Sequence, residues 1–453
     1  MITASHIEKT GKNETGFVSS SSLFWIYLIF FVNYTEGFWT EYVSESFQSV
    51  IELIFIAFIA KNTSKWLNPS CAGKLTCFWL GISLFLGAIT WSIIPMLKEI
   101  RFFLYYILIF RIFWHEIFSI AQFKKLIFFI ITLILSSGCV SLFRTFALDL
   151  REERLVGIIS ASGGTTATSF PMLICSLLTV FFMFYNPDDL SLKDRIKKYS
   201  ILLLLLLSVF MIGYGSGKRA VLILAPLSIF VTILTSSFYI KKKVLLKKVS
   251  LLLIVVFSLN TFLLNAFYHT HGFNYVIAEG DSWQTVLQGI IEYTNDYEFS
   301  ESREGTMGRL GSSLEILYAC MQDNIWLRGI GYHSHKDENT RDFLNIVYGI
   351  CGWSRDMING GIFAVLFSIF IYIKLVFSGQ TNGAIWKHIR IVILINFLCI
   401  YFFYSSDYAV SLKLNMLVAL LLALANSPNY KNIRTSFEEY MGYNHLESSN
   451  ENL

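Results

Sequence analysis

Twelve stretches of 15 to 23 mainly apolar residues recur along this chain, at 20–34, 46–60, 77–97, 100–114, 126–148, 166–186, 199–214, 219–240, 249–268, 357–377, 388–405 and 408–426. A helix of around 20 such residues crosses the roughly 30 Å hydrocarbon core of a bilayer. The second and fourth stretches are short, so they tilt little or are partly re-entrant. The first is not a cleaved signal peptide: no small-residue cleavage site follows it, and Trp39 and Tyr42 are placed as interfacial aromatics. Composition excludes the alternatives. Of 453 residues 54% are hydrophobic and only 15% charged, with 41 Phe against 6 Pro. A soluble chain of this size would carry about 25% charge, and no globule hides so much apolar side chain behind so few charges. Disorder, collagen and coiled coil fail on the same grounds, and a net charge of +4 is too small for nucleic-acid binding.

The chain is therefore expected to be an all-α polytopic membrane protein with about 12 transmembrane helices. Its parts are a cytoplasmic tail (1–19), spans one to nine (20–268), a large external loop (269–356), spans ten to twelve (357–426) and a second cytoplasmic tail (427–453). Sidedness follows from the Lys/Arg asymmetry of short loops. With both termini in the cytoplasm, 22 of the 36 basic residues fall inside, 13 outside, and Lys413 within the last span. The inside set is mostly Lys (18 of 22) and the outside set mostly Arg (10 of 13). Lys anchors topology generically, whereas Arg offers a planar fork that grips phosphate or carboxylate. Because the 269–356 loop carries 13 acidic against 6 basic residues, about half of these arginines are expected in ion pairs and the rest are left for an anionic ligand.

The loop holds two helical patterns, around 282–294 and 307–322. In the second, Leu310, Leu314, Leu317 and Met321 recur at helical spacing, so this apolar face is expected to lie on the membrane domain. Loops of this length in a compact protein are usually functional. There is no internal repeat of the kind that builds inverted-repeat transporters. Other signals are weak. His269, His271, His333 and His335 show no zinc spacing, so neither metal nor cofactor is expected. Asp296 and Glu298 imitate an acidic metal pair by chance in so acidic a loop. The Gly215–Arg219 segment GSGKR lacks the full phosphate-loop pattern. Of seven Cys, only Cys320 and Cys351 lie in the outer loop and could pair there.

Four stretches resemble the bacterial O-antigen polymerase and O-antigen ligase superfamily. YGSGKRAVLILAPLSIF (214–230) is similar to its Ser/Thr-x-Arg-Ala/Gly segment at the outer mouth of a leucine-rich span. GRLGSSLEILYACMQDNIWLRGIGY (308–332) resembles its Arg-containing amphipathic helix before a GiG turn. SRDMINGGIFAVLFSIF (354–370) is similar to the polar pair before a GiiG span, and RLVGIISASGGTTATSFPML (154–173) resembles its Arg-x-x-Gly start of a span. Ligases of the superfamily carry a His-Asn pair before the span that follows the large loop. Here Ser354, Arg355 and Asp356 stand there, or Arg341 and Asp342 if the match shifts upstream, and neither alternative has His. Arg341 to Gly352 also fits an Arg-x10-Gly spacing of some polymerases. The resemblance thus implies a GT-C-like polymerase joining undecaprenyl-diphosphate-linked oligosaccharide units on the periplasmic face of the inner membrane. It implies no nucleotide sugar, and a chain-length regulator protein as partner.

Such a reaction builds negative charge on the leaving diphosphate, which fixed arginines can neutralise in a water-poor cleft, and it benefits from a general base. Arg219 is the first candidate for the diphosphate, since at the N-terminus of its span the helix dipole adds to its own charge; it could instead only set span depth. Arg309 is the second ligand for phosphate or sugar, or else pairs with Glu315 or Glu304. Asp356 is the candidate base with Arg355 beside it, the two also competing as a structural pair; Arg341, Arg154 and His333 complete the candidates. A ligase that transfers glycan to lipid A–core, and a lipid-linked oligosaccharide flippase, are the alternatives. A transporter would place charge along the spans at mid-membrane depth, where only Glu52 and Lys413 stand out here.

Overall fold

The computed structural model describes residues 17–44, 46–62, 105, 107–148, 157–159, 166–185, 191–215, 220–240, 242–267, 288, 292, 308–331, 334–344, 346, 349–379, 383–405 and 411–441. Every regular element among them is helical. In chain order they are α1 (Ser20–Tyr34), α2 (Glu36–Tyr42), α3 (Phe47–Lys61), α4 (Ile120–Phe146), α5 (Thr166–Phe184), α6 (Leu192–Gly215), α7 (Ala220–Ser236), α8 (Lys242–Phe267), α9 (Arg309–Gln322), α10 (Glu338–Phe343), α11 (Gly352–Val376), α12 (Ala384–Phe403), α13 (Leu412–Asn426) and α14 (Lys431–Tyr440). A further helical run covers 107–115. The stretch expected to cross at 77–97 lies outside the described residues, as does the 282–294 helix apart from Gln288 and Glu292, which bond side chain to side chain at 2.8 Å.

The helix starts are written locally. Ser19 Oγ accepts from the Ser22 amide at 3.2 Å, and Ser119 and Gln122 cap each other reciprocally at the head of α4. Ile120–Phe146, Ala167–Phe184, Leu192–Gly213, Gly352–Val376 and Ala384–Phe403 are each long and apolar enough to cross a membrane. Their outward side chains are apolar too, Phe128, Leu204 and Phe363 among them, as lipid rather than water requires. This is an all-α, membrane-embedded protein. Several helices begin earlier than their apolar stretches: α4 at Ile120, α6 at Leu192, α8 at Lys242. The added turns carry Lys124, Lys125, Lys193, Lys197, Lys243 and Lys247, all exposed, as suits residues whose long apolar stems let an ammonium reach water from a helix end.

Contacts between elements sort into two ends. One, the tail face, joins Val18 N to Ile117 O (2.9 Å), Ser427 and Tyr430 to the carbonyls of Trp114 and Phe113, Ser236 to His388, and Trp386 to Glu438 on α14. The other, the loop face, joins Glu36 to Lys413 (2.6 Å), Arg144 to Glu41 (2.6 Å), Thr168 to Tyr404 (3.0 Å) and Arg309 to Tyr404. Each described helix that bridges the two faces runs opposite to its neighbour in sequence, as alternating spans must. Reporter fusions near residues 190, 245 and 380 are expected to read cytoplasmic and fusions near 160 and 300 external. Alkaline phosphatase and fluorescent-protein activities measure this, and a common reading at 245 and 300 would break the alternation.

The last apolar helix lies at the centre of the bundle. Every residue of α13 from Lys413 to Asn426 is buried. Lys413 is not a mid-span charge: α13 begins at Leu412, so Lys413 sits in its first turn and pairs with Glu36 at the loop face. Arg144 is likewise structural, donating to Glu41, to the Tyr42 hydroxyl (2.7 Å) and to Gly157 O (3.0 Å).

The tenth apolar stretch departs from expectation. Its helix starts at Gly352, not 357, and breaks at Gly360 and Gly361, where Gly361 takes φ +68°. In a straight helix residues 356 and 368 would stand about 18 Å apart along the axis. Here Ser368 Oγ donates to Asp356 Oδ2 at 2.7 Å, so the 352–359 segment is folded back toward 362–376. The turn after α9 fills the break. Ile330 N and Gly331 N both donate to Ile358 O (2.7 and 3.3 Å), and Ile362 N donates to Trp326 O (2.8 Å). The backbone groups freed by the broken helix thus find partners, which irregular backbone at membrane depth requires. Gly329 and Gly361 allow the contact: a Cβ on Gly361 would stand 2.2 Å from Leu327 O, and one on Gly329 2.6 Å from Ile358 O.

Candidate functional site

α9 docks on α11 by a face that its sequence does not advertise. Gly311, Ser312, Ser313, Ile316 and Cys320 are buried, while Leu314, Tyr318 and Met321 are exposed. Of the expected leucine face, Leu314 and Met321 point outward, Leu310 is half-buried and only Leu317 packs against the core. Small residues won because α9 meets a polar half-helix at short range. Ser313 Oγ bonds Ser354 Oγ (2.8 Å) and accepts from the Cys351 amide (2.9 Å), and Ser354 also donates to Cys351 O (2.9 Å). Ser354 is thereby a packing residue. Cys320 and Cys351 are both buried free thiols, not a disulfide; burial, with the Asp323 charge adding, pushes the Cys320 thiol up to about 11.

This docking sets Arg309, the first residue of α9, over the loop-face end of α12. Its Nη1 donates to Tyr404 O at 3.1 Å and its guanidinium lies 4.5 Å over the Tyr404 ring. Gly349 closes the other side, where a Cβ would come within 2.9 Å of the guanidinium carbon. Neither Glu315 nor any other carboxylate among the described residues forms an ion pair with Arg309, and Glu304 lies outside them. A cation–π contact and one carbonyl orient the charge, together worth on the order of 1–2 kcal/mol, without neutralising it.

One helical turn back on α12, Tyr401 donates its hydroxyl to Asp356 Oδ2 at 2.7 Å, on the same oxygen that Ser368 reaches. The Tyr401 ring is itself fixed by stacking on Phe397 (5.3 Å), which stacks on Tyr372 (3.7 Å). Arg355 is close enough to attract the Asp356 carboxylate. The loop-face end of α12 thus brings together a cation in a neutral cradle and a half-buried carboxylate oriented by two hydroxyls.

Of the sequence candidates, Arg309, Arg355 and Asp356 converge here. Arg341 does not: it sits on α10, and its Nε donates to Ile346 O at 3.1 Å, tying its own loop. Arg219, Arg154 and His333 lie outside the described residues. Sequence reasoning missed Tyr401, Tyr404 and Ser368. Two phenols three residues apart in YFFY, at the end of a span, were a readable sign, since buried Tyr hydroxyls need partners. Ser368 carried no sign, because only the Gly360–Gly361 break returns it to Asp356. No group of three or more His, Cys, Asp or Glu clusters as metal ligands among the described residues.

The long apolar helices define a multi-pass α-helical membrane protein. Comparison of the sequence with protein-family models and with curated proteins finds no match.

Proposed function

We propose that this protein is an O-antigen polymerase, a membrane glycosyltransferase that joins undecaprenyl-diphosphate-linked oligosaccharide units on the periplasmic face of the bacterial inner membrane, with both termini cytoplasmic. The observation that carries this reading is that Arg309, held by neutral groups at Tyr404, and Asp356, held by Tyr401, both lie at one end of α12. In the proposed reaction an acceptor hydroxyl attacks the anomeric carbon of the donor glycan. Asp356 takes the hydroxyl proton, the bond from that carbon to the diphosphate oxygen breaks, and its electron pair leaves with the diphosphate. Arg309 and Arg219 offset the charge that grows there, an effect strengthened where water is scarce. Arg355 adds a positive charge beside the carboxylate, which Ser368 and Tyr401 orient. Arg309 and Asp356 at the loop-face end of α12, with Lys413 at a helix end rather than mid-span, favour surface chemistry over passage through the membrane.

Deleting the gene tests the reading. A lost polymerase leaves lipid A–core carrying a single repeat unit, because export and ligation still proceed. A lost ligase leaves bare core while long polymer accumulates on undecaprenyl diphosphate, and a lost flippase leaves bare core with single units trapped in the cytoplasm. A one-unit band on a lipopolysaccharide gel probed with O-specific serum is the expected result; bare core refutes it.

A further inference from the structure

The tail face holds a second cation in a neutral cradle. α14 docks there by Phe437, whose ring lies 5.3 Å from that of Trp386 and 5.6 Å from that of Phe181 on α5. One turn further on, the Tyr440 ring stands 3.6 Å from the Lys198 ammonium of α6. The Tyr185 ring, just past the end of α5, stands 5.1 Å from the same ammonium and is itself braced by the Tyr199 ring at 5.8 Å. Two rings orient this charge without accepting a hydrogen bond from any of its three donors, and Lys198 has no hydrogen bond or ion pair among the described residues. The Tyr185 hydroxyl is buried and has no partner either, a costly state unless a polar group meets it. The surroundings suit an anion. The carbonyl end of α5, which would repel one, is covered by Lys248, whose Nζ donates to Met183 O and Tyr185 O at 2.7 Å each. Arg195, one turn before Lys198, is close enough for its charge to reach the Tyr185 phenol. Asp194, the carboxylate that also reaches it, is engaged by the Ser191 hydroxyl at 2.7 Å.

We infer that Lys198 and Tyr185 form a phosphate-binding site at the tail face. The ammonium and the hydroxyl each donate to an oxygen of one phosphate group, the ligand for which a lysine serves as a point charge. Tyr440, exposed at the last turn of α14, marks the side from which the ligand enters. The phosphate is carried by a phospholipid of that leaflet or by a soluble molecule; the recognising chemistry is the same. The site lies at the opposite end of the bundle from Arg309 and Asp356 and stands whatever reaction the protein catalyses.

Titration calorimetry of the full-length protein in detergent tests it, with dioctanoyl phosphatidylglycerol and inorganic phosphate as separate ligands. Lys198→Met keeps a stem between the two rings and drops the charge; it should weaken binding about tenfold, the worth of one charged hydrogen bond. Tyr185→Phe should also weaken binding, while its melting temperature does not fall, because the hydroxyl has no protein partner to lose. Lys197→Met removes the same charge from an exposed neighbour and should bind as the natural protein does. This pattern with phosphatidylglycerol alone assigns the site to the leaflet; the same pattern with inorganic phosphate assigns it to soluble phosphates. Equal weakening in Lys197→Met overturns the proposal, since the basic face in general would then be the binder. No weakening in Lys198→Met with either ligand overturns it too. Should Lys198→Met fail to fold, an unchanged dissociation constant in Tyr185→Phe is the overturning result.

Discussion

Arg309→Ala is expected to abolish long polymer while leaving the amount of protein in the membrane unchanged. The side chain is held by one carbonyl and one ring, so its loss removes little packing, but it takes away a charge that the proposed leaving group needs. Removing one preorganised donor from a charge-stabilising site typically costs 10²–10³ in rate, about 3–4 kcal/mol. Arg309→Lys should recover only a small part, because an ammonium that bonds Tyr404 O has no second edge to present to phosphate. The O-antigen ladder, read beside a membrane immunoblot, measures both quantities. Polymer at the natural level in Arg309→Ala would take this residue out of the site.

Gly361→Ala is expected to act in the opposite way, on the protein itself. An Ala there must hold φ +68°, which costs an L-residue roughly 1–2 kcal/mol. Its methyl would also lie 2.2 Å from Leu327 O, so the 326–331 turn must lift and give up its bonds to Ile358 and Ile362, at about 1–3 kcal/mol for each buried group left without a partner. Lower melting temperature in detergent and reduced membrane levels should follow. Ala at Ile373, which faces outward on the same helix, is the contrasting substitution and should cost under about 1 kcal/mol. Equal stability of the two variants would mean that the glycine contact is dispensable.

What the sequence made legible follows from lipid physics. Long apolar runs announce spans because backbone groups in hydrocarbon must pair within the segment, and α4, α5, α6, α11 and α12 fall where such runs stand. Their ends were less legible, since Lys193 and Lys243 continue a helix that hydropathy ends. The site was legible as residue types: Arg309 and Arg355 were readable as cations placed against the positive-inside preference, and Asp356 as a carboxylate beside one of them. Their partners were not. Tyr401, Tyr404 and Ser368 sit inside an apolar run or just after it, and they become site residues only through the docking of α9 and the fold-back of α11. The face of α9 was read only in part: Leu317 packs as its spacing suggests, but Leu314 and Met321 point outward, because close approach to Ser354 and Cys351 selected serine and glycine.

The burial of α13 on all sides has a consequence for biogenesis. α13 is made after α1, α5 and α12, helices it packs against, so each of them must reach the bilayer before the partner that covers its inner side exists. Until Lys413 is synthesised Glu36 stands without the ammonium it pairs with. A chain cut short before Leu412 leaves those inner faces uncovered, which the quality-control proteases of the membrane are suited to remove.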